Sequence, residues 1–157
     1  MRHAIAFERD ASRWPDDRER PLTPEGIRKF RKVAAQLADF AKKPGRVLAS
    51  PLVRAWDTAL LLQKEAGWPK PEPLPALEPG GDPNDVLAQL RRGKSSRVAL
   101  VGHEPDLSRL LAVCIAGEGA RVGIEMKKGG VAELRFSVPR VGGATLRWLA
   151  PPRLLLG

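Results

Sequence analysis

Two short apolar runs, Arg46–Ala49 (RVLA) and Arg97–Val101 (RVALV), do most to limit what this chain can fold into. They are too short for stable helices, and they do not alternate polar with apolar residues. A strand that is hydrophobic at successive positions must be covered on both faces, as strands of parallel sheets are. Each run is followed at once by a breaker and then by an amphipathic stretch. Ser50-Pro51 leads into Leu52–Ala66, and Gly102-His103 leads into a helix spanning Pro105 to Ala116. Strand, turn and helix repeated in this order predict an α/β domain.

The remaining segments extend that pattern. Met1–Phe7 reads as the end of a strand running into a loop, and residues 8–22 are charged, irregular and interrupted by Pro15 and Pro21. Thr23 suits a helix N-cap, with Pro24 at the first helical position and Glu25 at the positive end of the dipole. Ile27, Phe30, Ala34, Leu37 and Ala41 recur at helical spacing, with Arg28, Lys29, Arg31 and Lys32 on the other side. Pro44-Gly45 stops this helix. Residues 67–81 predict a loop with a short edge strand near Leu74–Leu77. Asp82-Pro83 opens a third helix ending near Arg92-Gly93, and two late strands are expected at Val131–Val138 and Ala144–Leu149. No repeat or low-complexity linker divides residues 1–157, so a single domain is expected. The order implies a mostly parallel twisted sheet with helices on both faces. Ligands of such sheets bind outside the carboxyl ends of the strands.

Composition narrows the partners. The chain has 157 residues, a net charge of +9 and a pI near 10.4, which favours anionic ligands. Aromatic residues are only 5% and tyrosine is absent, so base-stacking platforms are poorly supplied and no nucleic-acid partner is expected. Cys114 is the single cysteine; it allows no internal disulfide, and its setting (LLAVCIAG) suits a core position. No apolar run approaches the roughly 18–20 residues that span a bilayer, so no membrane partner is expected. Charge enters the N-terminus at once, unlike a signal peptide, and a cytoplasmic location is the expectation. Two distant histidines and one cysteine give no zinc spacing, and there is no Gly-x-x-x-x-Gly-Lys loop. Neither a metal nor a cofactor is expected.

Both histidines, His3 and His103, directly follow apolar strands. Arg2 precedes the first, and Arg54 opens the helix after Ser50-Pro51. Three strand ends thus deliver histidine, arginine and histidine toward one edge of the sheet. Arg2-His3-Ala4 resembles the Arg-His-Gly signature of the histidine phosphatase (phosphoglycerate mutase-like) superfamily, with alanine in the glycine position. Ser50-Pro51-Leu52-Val53-Arg54-Ala55-Trp56-Asp57-Thr58-Ala59 resembles its Ser-Pro-x-x-Arg-Ala-x-x-Thr-Ala segment. Gly102-His103 resembles its second histidine, and Arg20-Pro21-Leu22-Thr23-Pro24-Glu25-Gly26 the turn before its first helix. The short length, without the insertions that cap the site of larger relatives, is similar to the SixA-type protein phosphohistidine phosphatases. So is the stretch Leu77–Asp82. The resemblance covers about residues 1–136. It also implies a first strand running several residues ahead of the Arg-His pair. Only Met1 precedes Arg2, so the natural start is expected upstream.

The resemblance implies a phosphatase without metal or cofactor. His3 attacks phosphorus to give a covalent phosphohistidine. Arg2, Arg54 and His103 bind the phosphate oxygens, with His103 expected to act protonated. Guanidinium suits this task because its planar fork matches phosphate. Glu78 is the first candidate for a general acid and Asp82 the second, although Asp82 also suits a helix N-cap. Glu104 suits the first turn of its helix, and Ser50 a strand end. The expected substrate is a phosphohistidine carrier protein, or alternatively a small phosphoester or sugar phosphate. A phosphate-binding module without turnover is the non-enzymatic alternative.

Overall fold

The two apolar runs form the middle of a parallel sheet. In the computed structural model, which describes residues 1–119 and 121–157, β1 (Arg46–Ala49) lies between β2 (Pro71–Pro73) and β3 (Val98–Val101), all parallel. β1 and β3 end together, with Ala49 opposite Val101. Beyond β3, the chain start takes the next place. Gly102 N–H donates to Met1 O at 3.1 Å, and His3 N–H donates to Gly102 O at 3.1 Å. On its other side, Arg2 N–H donates to Gly130 O at 3.0 Å and Gly129 N–H to His3 O at 2.9 Å. Residues 1–3 thus join the parallel sheet to an antiparallel hairpin of β4 (Val131–Phe136) and β5 (Ala144–Ala150).

Side chains alternate along β1 and so build two cores. Val47 and Ala49 pack with α1 (Pro24–Phe40) and α2 (Val53–Ala66), through Phe30, Val33, Leu37, Ala59 and Leu62. Leu48 faces α3 (Pro83–Arg92) and α4 (Asp106–Ala116), meeting Val86, Leu87, Leu107 and Leu111. Helices therefore cover both faces, as hydrophobicity at successive positions requires. The Thr23 hydroxyl accepts from Gly26 N–H at 2.9 Å, which caps α1. Gly26 itself is demanded by packing, because a Cβ there would sit 2.1 Å from Ile5 O. Cys114 is buried, and burial pushes its thiol up to about 11.

Met1–Phe7 is the end of a strand running into a loop, as the sequence implies. After His3 the chain leaves the ladder: Thr23 N–H donates to Ile5 O at 3.0 Å, and Phe7 N–H to Pro21 O at 3.2 Å. Residues 5–7 therefore pair with the segment that leads into α1. The edge strand is Pro71–Pro73 and not Leu74–Leu77; an edge position tolerates the two prolines of that strand, and Pro75–Leu77 is a 3-10 turn opened by Pro75. β4 stops at Phe136, short of Val138. The tail forms α5 (Pro152–Leu155), and Leu155 and Leu156 pack on the first core. Among the described residues no helix is long and apolar enough to cross a membrane.

Candidate active site

The carboxyl ends of β1, β3 and the Met1–His3 segment bring two histidines together. His3 is 6% exposed and His103 3%, with ring centroids 5.2 Å apart. His3 Nδ1 lies 2.7 Å from Ala4 O. A carbonyl can only accept, so Nδ1 carries the proton and Nε2 holds a lone pair. Ser50, wholly buried at the end of β1, places its Oγ 2.8 Å from His103 Nε2. That oxygen also accepts from Leu52 N–H at 3.4 Å, and its own proton has no other acceptor among the described residues than Nε2. The neutral His103 ring therefore carries its hydrogen on Nδ1, which is buried without a protein partner. Ser50 was expected only to end a strand; it also orients the second histidine.

Arg54 enters from the first turn of α2 and is 3% exposed. Its Nη1 donates to Asp17 O at 2.7 Å, and its Nη2 lies 3.1 Å from Asp17 Oδ2. Asp17 Oδ1 also accepts from Arg20 Nε at 2.7 Å, and Arg20 Nη1 donates to Phe7 O at 2.6 Å. Arg2 Nη1 donates to Met126 O at 2.8 Å. The Nε atoms of Arg2 and Arg54 are buried without a protein partner. Thr58 stitches the two motifs together: its hydroxyl donates to Arg54 O at 2.7 Å and accepts from Ala4 N–H at 3.0 Å.

Electrostatics follow from this crowding. Burial first, and then the charges of Arg54, Arg2 and Arg20, bring the His3 pKa down to about 3. Burial, His3 and Arg54 bring His103 to about 3 as well. The free site therefore holds two neutral imidazoles at neutral pH, while the expectation of a protonated His103 concerns the phosphate-bound site. Burial opposes the Asp17 carboxylate, but the Arg20 hydrogen bond and the charges of Arg54, Arg20 and Arg9 outweigh it and hold its pKa at about 2.

The structure thus gathers His3, His103 and Arg54, with Arg2 alongside. Glu78 follows the 3-10 turn and forms an ion pair with Arg18. Asp82 accepts from Asn84 N–H at 2.9 Å, as the N-cap of α3. Glu104 accepts from Ser108 Oγ at 2.6 Å. Sequence reasoning missed Arg20 and Asp17 as site residues. Arg20 heads a motif already noticed, so its position was a usable signal. Asp17 lies in an irregular acidic stretch that gives none.

The family model of the histidine phosphatase superfamily (branch 1) matches residues 1–78. An uncharacterized protein of Picosynechococcus sp. is 32% identical over 162 residues, covering 99% of this chain and 96% of its own. The protein histidine phosphatase SixA, solved with tungstate, superposes with a TM-score of 0.83 at 29% identity, over 99% of this chain and 96% of that one. The SixA protein of Agrobacterium tumefaciens gives 0.77 at 22% identity, over 97% and 95%. A mycobacterial glucosyl-3-phosphoglycerate phosphatase shares the fold, with 0.64 at 16% identity over 93% and 94%. With its two buried histidines and arginine-lined edge, this chain belongs to the histidine phosphatase superfamily and is a phosphatase.

Proposed function

We propose that this protein removes the phosphoryl group from phosphohistidine on a protein, by way of a covalent intermediate on His3. The observation that carries the reading is the Nδ1 contact of His3 with Ala4 O. It fixes the tautomer whose Nε2 is a nucleophile, and burial keeps that nitrogen unprotonated. Nε2 attacks phosphorus in line while the phosphorus–nitrogen bond of the substrate breaks. The leaving imidazole departs neutral from the form of the substrate whose far ring nitrogen has taken a proton from solvent, which its ordinary pKa of about 6.5 allows at neutral pH. Water then attacks the phosphorus on His3, releasing inorganic phosphate and restoring the neutral ring. Arg54, Arg2 and Arg20 neutralise the phosphoryl oxygens. His103 donates Nδ1–H to one of them, with its other nitrogen engaged by Ser50.

The leaving group decides between substrates. An imidazole has an ordinary pKa of about 6.5 and leaves without an enzyme acid, whereas an alkoxide needs one. Glu78, the sequence candidate for that acid, is engaged by Arg18. This favours phosphohistidine over small phosphoesters. The similarity to a protein histidine phosphatase supports the same class. The test is phosphate release from a histidine-phosphorylated carrier protein and from an aryl phosphate. Wild type should act on the carrier, His3→Ala should lose at least about 10³-fold, and Glu78→Gln should stay within about threefold, since no acid step is lost. Turnover of the aryl phosphate alone, lost in Glu78→Gln, would move the substrate to small phosphoesters.

A further inference from the structure

Beside the phosphate site stands a small aromatic and cationic cluster that the chemistry does not use. Asp10 builds a tight turn: its Oδ1 accepts from Ser12 N–H at 2.9 Å and Ser12 Oγ at 2.6 Å, and its carbonyl accepts from Trp14 N–H at 2.8 Å. The turn sets the Trp14 ring 5.3 Å from the Phe7 ring, with the Arg13 guanidinium 4.5 Å over Trp14 and 5.3 Å from Phe7. Both rings are half-buried, yet neither packs against either core. Arg13 is exposed. Arg9, Arg18 and Arg20 in the same loop each pair with a carboxylate, and Arg13 has none within ion-pair distance among the described residues. The cluster adjoins the site directly, because Phe7 O accepts from Arg20, which shares Asp17 with Arg54.

A guanidinium lying on an indole keeps its in-plane N–H groups free for a bidentate carboxylate. Tryptophan and arginine are also the residues that most often anchor interfaces. The Asp10 turn holds them in place beforehand, which lowers the ordering cost of binding. Resting on the phosphohistidine reading above, we propose that Phe7, Arg13 and Trp14 form a docking platform for substrate proteins that carry acidic residues beside the phosphohistidine. The platform would act on recognition of the carrier and not on the chemical step.

Three substrates test this: two phosphohistidine peptides of equal length, one with Asp/Glu flanks and one with neutral flanks, and phosphorylated imidazole without any peptide. Wild type should show a kcat/KM about tenfold higher for the acidic peptide, carried by KM. Arg13→Ala and Trp14→Ala should erase that preference, Trp14→Phe should keep most of it, and phosphorylated imidazole should be turned over equally by all. Equal use of both peptides by wild type would overturn the platform. So would a proportional loss on all three substrates in the variants, since that would place the turn's role in shaping the Asp17 clamp. No His3-dependent release from any of the three would instead overturn the underlying phosphohistidine reading, and the platform with it.

Discussion

The two halves of the active site are held in different ways. His3, His103 and Ser50 sit at the sheet edge, where backbone ladders fix their positions and their side chains are at most 6% exposed. Asp17 and Arg18 come from a short 3-10 turn, Asp17–Glu19, and Glu78 from the end of another, with side chains 33%, 53% and 24% exposed, and are tied to their neighbours mainly by ion pairs. A ladder-held group cannot drift without breaking backbone hydrogen bonds. An exposed ion pair is worth only about 0–1 kcal/mol and re-forms readily. The proposed nucleophile and second histidine therefore stand on the rigid half, while the groups that hold Arg54 and flank the histidines stand on the adaptable one. Function sites built this way keep nucleophile geometry fixed and leave substrate fit adjustable.

Acid should separate the halves, with the largest effect of those expected. Both histidines have folded pKa values of about 3 against 6.5 for the free group. The unfolded chain then binds protons that the folded chain refuses, so stability is complete above pH 6.5 and falls as pH drops toward 3. By pH 4.5 the loss should reach roughly 2 kcal/mol per histidine. Asp17 behaves differently: its folded value of about 2 against 3.8 makes its contribution disappear only between those two pH values. Thermal unfolding of wild type should therefore show Tm declining from pH 6.5 to 4.5. His103→Asn should flatten that decline, and Asp17→Ala should leave it intact. A Tm that is level across this window would mean that the sheet-edge pair is not buried neutral.

Removing Asp17 should strike activity more than stability. Its carbonyl and carboxylate hold Arg54, and its Oδ1 holds Arg20. Asp17→Ala should lower kcat/KM for phosphohistidine about 10–100-fold, the range seen when the outer partner of an active-site group is lost. Tm at pH 7 should fall less, because the carbonyl at position 17 remains to accept from the buried Arg54. A large Tm drop with modest kinetic loss would reverse the assignment and make the 16–20 segment part of the rigid half.

The same division governed what could be read from sequence. The apolar runs at 46–49 and 97–101 announced the strands because burial on both faces leaves a pattern. His103 and Arg54 followed, since they sit just past such a run or in the helix after it, and His3 followed from the Arg2-His3-Ala4 motif at the chain start. The motifs also carried Arg20, although its role at the site needs the fold to be seen. Asp17 and Arg18 left no periodic mark: their partners lie 37 and 60 residues away, and nothing local encodes that meeting. The start of the chain was legible as a strand end running into a loop, but its partners were not: residues 5–7 pair with Pro21 and Thr23, beside the tight approach of Gly26 to Ile5 O.

Ser50 offers the smallest and sharpest test, because His103 is the one side chain its hydroxyl engages, beside a 3.4 Å contact from Leu52 N–H. Ser50→Ala deletes the group that engages Nε2 and leaves a buried ring nitrogen unpaired, at a cost of about 1–3 kcal/mol. In a chain of this size that lowers Tm by roughly 2–10 °C. Activity should fall no more than about tenfold, since His103 and all three arginines remain. The distinguishing readout is the tautomer. Wild-type His103 should carry its neutral hydrogen on Nδ1, visible in the ¹⁵N shifts of the ring, and Ser50→Ala should populate the Nε2–H form. If the variant keeps the Nδ1–H form and full activity, the ring is oriented by its buried surroundings. The sheet edge would then position His103 by packing, without help from the hydroxyl.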